Sequence, residues 1–117
     1  MNSEWQAQGL ASLIKRTVDQ SLDSIFIFNA QSLNFTYVNK GGMEQVGYSE
    51  AEMLEMTPID ITPEMNEKQF GALIQPLLRG EKDSLTVETV HEHKSGRRMP
   101  VEIVLQYLPE ANNHGQF

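Results

Sequence analysis

Residues 85–108 read LTVETVHEHKSGRRMPVEIVLQYL, and this stretch decides the fold. Leu85 to His93 alternates in polarity, Lys94-Ser95-Gly96-Arg97 supplies a turn, and Arg98 to Leu108 alternates again. A side-chain period of two belongs to a strand, so the spacing predicts a long antiparallel hairpin. Val101, Ile103, Leu105 and Tyr107 fall on one face of its second strand, with Glu102, Val104 and Gln106 on the other. On the first strand His91 shares the parity of Val87 and Thr89.

Working upstream, the period changes. Phe70, Leu73, Ile74, Leu77 and Leu78 recur at helical steps, with Gly80 as the stop and Pro76 predicting a kink or a split. Thr62-Pro63-Glu64 suits a helix start, and Pro58 suits the end of the segment before it. Ser49-Glu50-Ala51-Glu52 is a capping box opening a short helix that contains Met53 and Leu54. Asn39 suits the cap of another, which carries Met43 and Val46 and ends at Gly47. Before it, Ile25-Phe26-Ile27-Phe28 and Phe35-Thr36-Tyr37-Val38 flank a polar turn and predict a second, shorter hairpin. Leu10, Leu13, Ile14, Thr17, Val18, Ser21 and Leu22 form one apolar stripe, which predicts an amphipathic helix over residues 1–23. The order of elements is that of an α+β domain with an antiparallel sheet.

A chain of 117 residues makes one domain. It holds no cysteine, which excludes a disulfide scaffold, a thiolate metal site and a thiol nucleophile, and favours a cytoplasmic setting. No apolar run approaches a membrane span. Sixteen acids against nine bases leave a net charge of −7, and Glu44 to Glu67 contains acids without a base. Such a surface repels phosphate backbones and anionic lipid, so neither nucleic acid nor a membrane surface is an expected partner. Lys94, Arg97 and Arg98 make one basic spot, read as a solvated turn. No nucleophile elbow, phosphate loop or His-Glu-x-x-His segment occurs, and the chain is expected not to be an enzyme. His91 and His93 have no third residue placed to complete a metal site, so no metal is expected.

Two groups of residues carry a family resemblance. Tyr37-Val38-Asn39, Gly47-Tyr48-Ser49 and Glu52-Met53-Leu54 resemble the first half of a bacterial PAS domain. His93-Lys94-Ser95-Gly96-Arg97 followed by Pro100-Val101-Glu102 resembles that family's turn between its two long strands. The resemblance runs from about Ser24 to Phe117 and sets the domain proper at 24–117. It implies a five-stranded antiparallel sheet with short helices on one face. Four strands are expected to be complete, the fifth starting near Phe117 in a fragment of a longer signalling protein.

The resemblance also implies a ligand pocket between the sheet and the helices. Its expected lining is Phe26, Phe28, Met43, Met53, Phe70, Ile74, His91, Val101 and Ile103. Leu10, Leu13, Ile14, Val18, Ile25 and Ile27 are the expected face that covers the sheet or meets a second copy. Flavin photosensors of the family need a cysteine at about Pro58, so covalent flavin chemistry is excluded, as is hydroxycinnamate chemistry. Haem-binding relatives carry a histidine on the long helix, and Glu64 to Arg79 has none. Haem through His91 is the weaker alternative, non-covalent flavin has no positive signal, and the cofactor stays unknown. For His91 the plainer reading is a partly buried histidine bonded to a neighbour; the sharper one is a ligand contact.

These readings converge on a cytoplasmic, homodimeric sensory input module linked to a histidine kinase or diguanylate cyclase output. A ligand-free dimerisation module is the alternative, since phenylalanines on the first strand occupy volume that a cofactor would need.

Overall fold

The computed structural model describes residues 23–109 and 115–117. The alternation in the C-terminal third closes as β3 (Leu85–Glu92) paired antiparallel to β4 (Arg98–Leu105), without a break in register from Leu85–Leu105 to Glu92–Arg98. Val87, Thr89 and His91 face the interior with Val101, Ile103 and Leu105, while Glu88, Glu102 and Val104 are exposed. The His93 N–H donates to the Arg97 carbonyl at 2.7 Å and the Gly96 N–H to the His93 carbonyl at 2.8 Å, with Gly96 at φ 94°. This is a tight turn closed by a glycine bulge. It makes the odd-numbered pairs the hydrogen-bonded ones, so the backbone groups of Pro100, Glu102 and Val104 point away from β3. Pro100 has no N–H to donate, and at that parity the β3 ladder loses nothing.

The shorter hairpin is β1 (Phe26–Phe28) with β2 (Phe35–Val38), and it carries a register irregularity between Ile27 and Phe28. Between the hairpins run α1 (Lys40–Val46), α2 (Glu50–Met53), α3 (Pro58–Ile61) and α4 (Glu67–Leu78). The α+β class is the one expected. The predicted helix over 1–23, with Leu10, Leu13, Ile14 and Val18, lies outside the described residues. Among the described residues no helix is long and apolar enough to cross a membrane.

The short helices start where their caps act. Asn39 is fully buried; its Oδ1 accepts from the Gly42 N–H at 2.8 Å and the Ile25 N–H at 2.9 Å. Its Nδ2 donates to the Asp23 carbonyl at 2.8 Å, so one amide caps α1 and holds the entry to β1. Ser49 and Glu52 form the expected capping box. Three expectations are corrected. Pro58 opens α3 instead of ending the preceding segment, because its fixed φ suits a first turn and Asp60 bonds back to the Thr57 N–H at 2.9 Å. No helix starts at Thr62: its hydroxyl bonds the Pro58 carbonyl at 2.7 Å and is not free to cap. The helix waits for Asn66, whose side chain accepts from Gln69 N–H while Gln69 reaches back. Pro76 does not split α4. It lies two residues from the end, and the Glu81 and Gly80 N–H groups close a Schellman motif on Pro76 and Leu77.

Two ties join the hairpins and helices. Phe28 and Phe117 exchange backbone hydrogen bonds at 3.0 and 2.9 Å, and Leu108 and Gln116 exchange a pair at 2.6 and 2.9 Å. Gly115–Phe117 is therefore antiparallel both to β1 and to the chain after β4, and a fifth strand begins slightly before the position expected. The Phe117 ring, 6% exposed, stacks on Phe28 with centroids 5.1 Å apart. The second tie anchors the turn of the long hairpin, whose Lys94, Arg97 and Arg98 are exposed as expected. Lys94 donates its N–H to the Val46 carbonyl at 2.8 Å, pairs with Glu52 at 2.6 Å and lies 5.8 Å from the Tyr48 ring centroid. The His93 ring lies against Gly47, whose φ is 78°.

Both contacts are testable. Gly47→Ala combines a left-handed backbone with a Cβ that overlaps His93, and is expected to cost about 2 kcal/mol or more in chemical denaturation. A wild-type midpoint would refute the contact. Lys94 first, then the Ser49 N–H, holds the Glu52 carboxyl at about 2, below its ordinary 4.5. The folded value is depressed, so its stabilising contribution is present above about pH 4.5 and is lost as the pH falls towards 2. Lys94→Met is expected to move the Glu52 midpoint, read by carboxyl-carbon NMR, back towards 4.5; an unmoved midpoint would contradict the pairing.

Candidate functional site

Apolar burial places the inner faces of both hairpins against α4. Phe70, Ile74 and Leu77 on one stripe of that helix are buried with Phe28, Phe35, Val38, Val46, Met53, Ile61, Leu105 and Phe117. Beside this core lies a cavity of about 670 Å³, open along one side between β1 and β4. Its walls are aromatic (Phe26, Phe28, Phe35, Phe70, Phe117) and aliphatic (Ile61, Ile103, Leu105), with Gln45 and His91 as interior polar residues. Asp23, Glu102 and Gln106 stand at its rim.

His91 is 4% exposed, and its Nδ1 lies 2.8 Å from Gln45 Oε1. An amide oxygen only accepts, so in this arrangement Nδ1 carries the proton and Nε2 keeps its lone pair. Phe26 meets the imidazole edge-on at 5.7 Å. Desolvation by these neighbours lowers the His91 pKa from its ordinary value, which keeps the ring neutral at physiological pH. The result is one hydrogen-bond acceptor set in an aromatic wall, an arrangement that suits a mostly apolar molecule with an N–H or O–H group.

Of the residues expected to line a pocket, Phe26, Phe28, Phe70, His91 and Ile103 meet at this cavity. Met53 and Ile74 are buried in the core outside its wall, Met43 packs against that core, and Val101 sits further along the inner face of β4. Ile25 and Ile27, expected on a cover face, are half-buried along the open side. Sequence reasoning passed over Phe35, Gln45, Ile61 and Phe117. Phe117 had a signal, being apolar and next to the expected strand start. Gln45 had none, because only its partner 46 residues away gives a polar residue an inward role. Pro58, where photosensory relatives are expected to carry cysteine, lines the cavity and is buried. Among the described residues no three His, Asp or Glu side chains come together as a metal-binding group.

Comparison with known proteins follows the same lines. A family profile described as the PAS fold matches residues 18–116. No curated protein matches the chain. Among solved structures, a PAS domain from a two-component sensor histidine kinase is 24% identical, with 98% of this chain and 94% of that one covered at a TM-score of 0.71. The PAS domain of an HTR-like protein from Haloarcula marismortui is 20% identical, covering 97% and 90% at a TM-score of 0.78. A domain of a sensory box sensor histidine kinase/response regulator from Geobacter sulfurreducens is 18% identical, covering 92% and 90% at 0.76. At these identities the likeness is one of fold. With the family profile spanning nearly the whole sequence, the strand order, the helical insert and the turn that seats on it make this chain a member of the PAS-fold family.

Proposed function

We propose that the chain is the sensory input module of a bacterial signal-transduction protein, taking a small ligand into the cavity between sheet and helices. The observation that carries this reading is the bond between buried His91 and half-buried Gln45 among the aromatic and aliphatic residues of the cavity wall. A neutral imidazole with an available Nε2 orients a ligand, while the aromatic residues supply most of the contact area. Ligand binding acts on signalling only through differential affinity for two arrangements of the domain, typically about 1–3 kcal/mol. The output is of histidine kinase or diguanylate cyclase type, the module is a cytoplasmic homodimer, and it performs no catalysis itself.

One observation favours a ligand-free interaction module instead. Phe28 contacts Phe70 at 5.6 Å and Phe117 at 5.1 Å, so rings already fill part of the interior. Native and denatured masses of the purified protein, taken with an absorption spectrum, separate the two readings. A stoichiometric excess mass that vanishes on denaturation, and is lost in His91→Ala, is the expected result. A bare polypeptide mass, with no His91 shift in NMR screens of small N–H and O–H donors, would favour the ligand-free reading. Protonated imidazole cannot accept, so binding is expected to be level above neutral pH and to weaken as the pH falls through the lowered His91 pKa.

A further inference from the structure

His91 has one ring nitrogen committed and one open. Nδ1 donates to Gln45 Oε1 at 2.8 Å, and Nε2 bonds nothing among the described residues. No described side chain has a nitrogen or oxygen that is both sealed from solvent and unpartnered, so the 4% of His91 left exposed includes Nε2. That atom opens onto the cavity that His91 lines. Gln45 fixes its role. A carboxylate in that place would favour a second proton on the imidazole; an amide brings no charge, so burial keeps the ring neutral and Nε2 an acceptor.

The surroundings select the rest of a ligand. Among the described residues no lysine or arginine lines the cavity, and its acidic lining residues are Asp23 and Glu102. An anion brought inside would meet a lone pair at Nε2 where it needs a donor, and a buried charge without a counter-charge is costly. An ammonium carries three donors and would meet one interior acceptor at His91. Phe26 lies 5.7 Å from both His91 and Phe35, and Phe28 lies 5.6 Å from Phe70. A wall of such rings is contacted best by another flat ring, offset or edge-on. These residues sit on β1, β2, β3, α1 and α4, elements that lie whole within the described residues.

We propose that Gln45 sets the ligand class: the ligand is an uncharged aromatic molecule of the indole or phenol kind that donates one N–H or O–H to His91 Nε2. The class rests on the sensory reading above. Gln45 is a positioning residue, acting on the ligand through the imidazole. Gln45→Glu reverses the polarity in mildly acidic buffer. The pair then takes up one proton, and whether that proton sits on the carboxyl or on the ring, Nε2 becomes an N–H and selects an acceptor.

The test titrates the whole chain with four small probes, read by nitrogen NMR of the His91 ring. Indole is expected to bind saturably and to move the Nε2 resonance. Benzofuran, the same shape without a donor, is expected to bind about tenfold more weakly, and indole carboxylate no better than benzofuran. In Gln45→Glu, indole is expected to weaken about tenfold while quinoline, an acceptor of similar size, binds more tightly than to the wild type. Equal binding of indole and benzofuran, or indole carboxylate binding as tightly as indole, would overturn the class whether or not that variant folds. An unchanged order of indole and quinoline in a folded Gln45→Glu protein would remove the role of Gln45. If no probe binds while the native mass carries an excess that vanishes on denaturation, the class falls and the sensory reading stands. A bare mass with no probe bound would remove both.

Discussion

The rest of the structure depends on the pairing of Phe28 with Phe117. Two hairpins distant in sequence have to present their apolar faces to one set of helices, and closing that long loop costs chain entropy. Hydrogen bonds from Gly115–Phe117 reach β1 on one side and Leu108 on the other. The rings then add what the backbone alone does not: Phe28 stacks on Phe117, tilts against Phe70 and meets Phe35 edge-on. Each such ring contributes roughly 1.5–3 kcal/mol of burial, and its geometry rewards one placement of the hairpins over others.

At the far end the turn of the long hairpin sets the second constraint. Gly47 leaves room for His93, the Val46 carbonyl takes the Lys94 N–H, and Glu52 takes the Lys94 ammonium. An exposed ion pair alone would add little. Here it accompanies a backbone hydrogen bond and a close glycine contact, so the three together define where the turn sits. Asn39 plays the corresponding part at the start of α1, its side chain bonding the Ile25 and Gly42 N–H groups and the Asp23 carbonyl. With both ends held, the helices arch over the inner sheet face, and the cavity is the space they leave.

Polarity in that cavity is sparse and specific. His91 is tolerated at 4% exposure because Gln45 takes its N–H and because burial keeps it neutral. The same pair gives an apolar cavity a direction, which is the basis for reading a PAS-fold domain as a small-molecule sensor.

Sequence alone determined the elements whose causes are local. Alternation over residues 85–108, the Ser49 and Asn39 caps and the stop at Gly47 each act within a few residues, and each is present where the spacing puts it. It misplaced one helix start because Pro58 and Pro63 both suit a first turn; the choice fell to Thr62, whose hydroxyl bonds back to Pro58, and to the Asn66–Gln69 box. The parity of His91 was legible, and its partner was not. Tertiary structure alone decided that Gln45 meets His91, that Lys94 turns to Glu52, and that Phe117 closes the core. Periodicity reports which face of an element is apolar, but not which distant residue that face will meet. That is settled only when the chain folds and packing selects one set of partners.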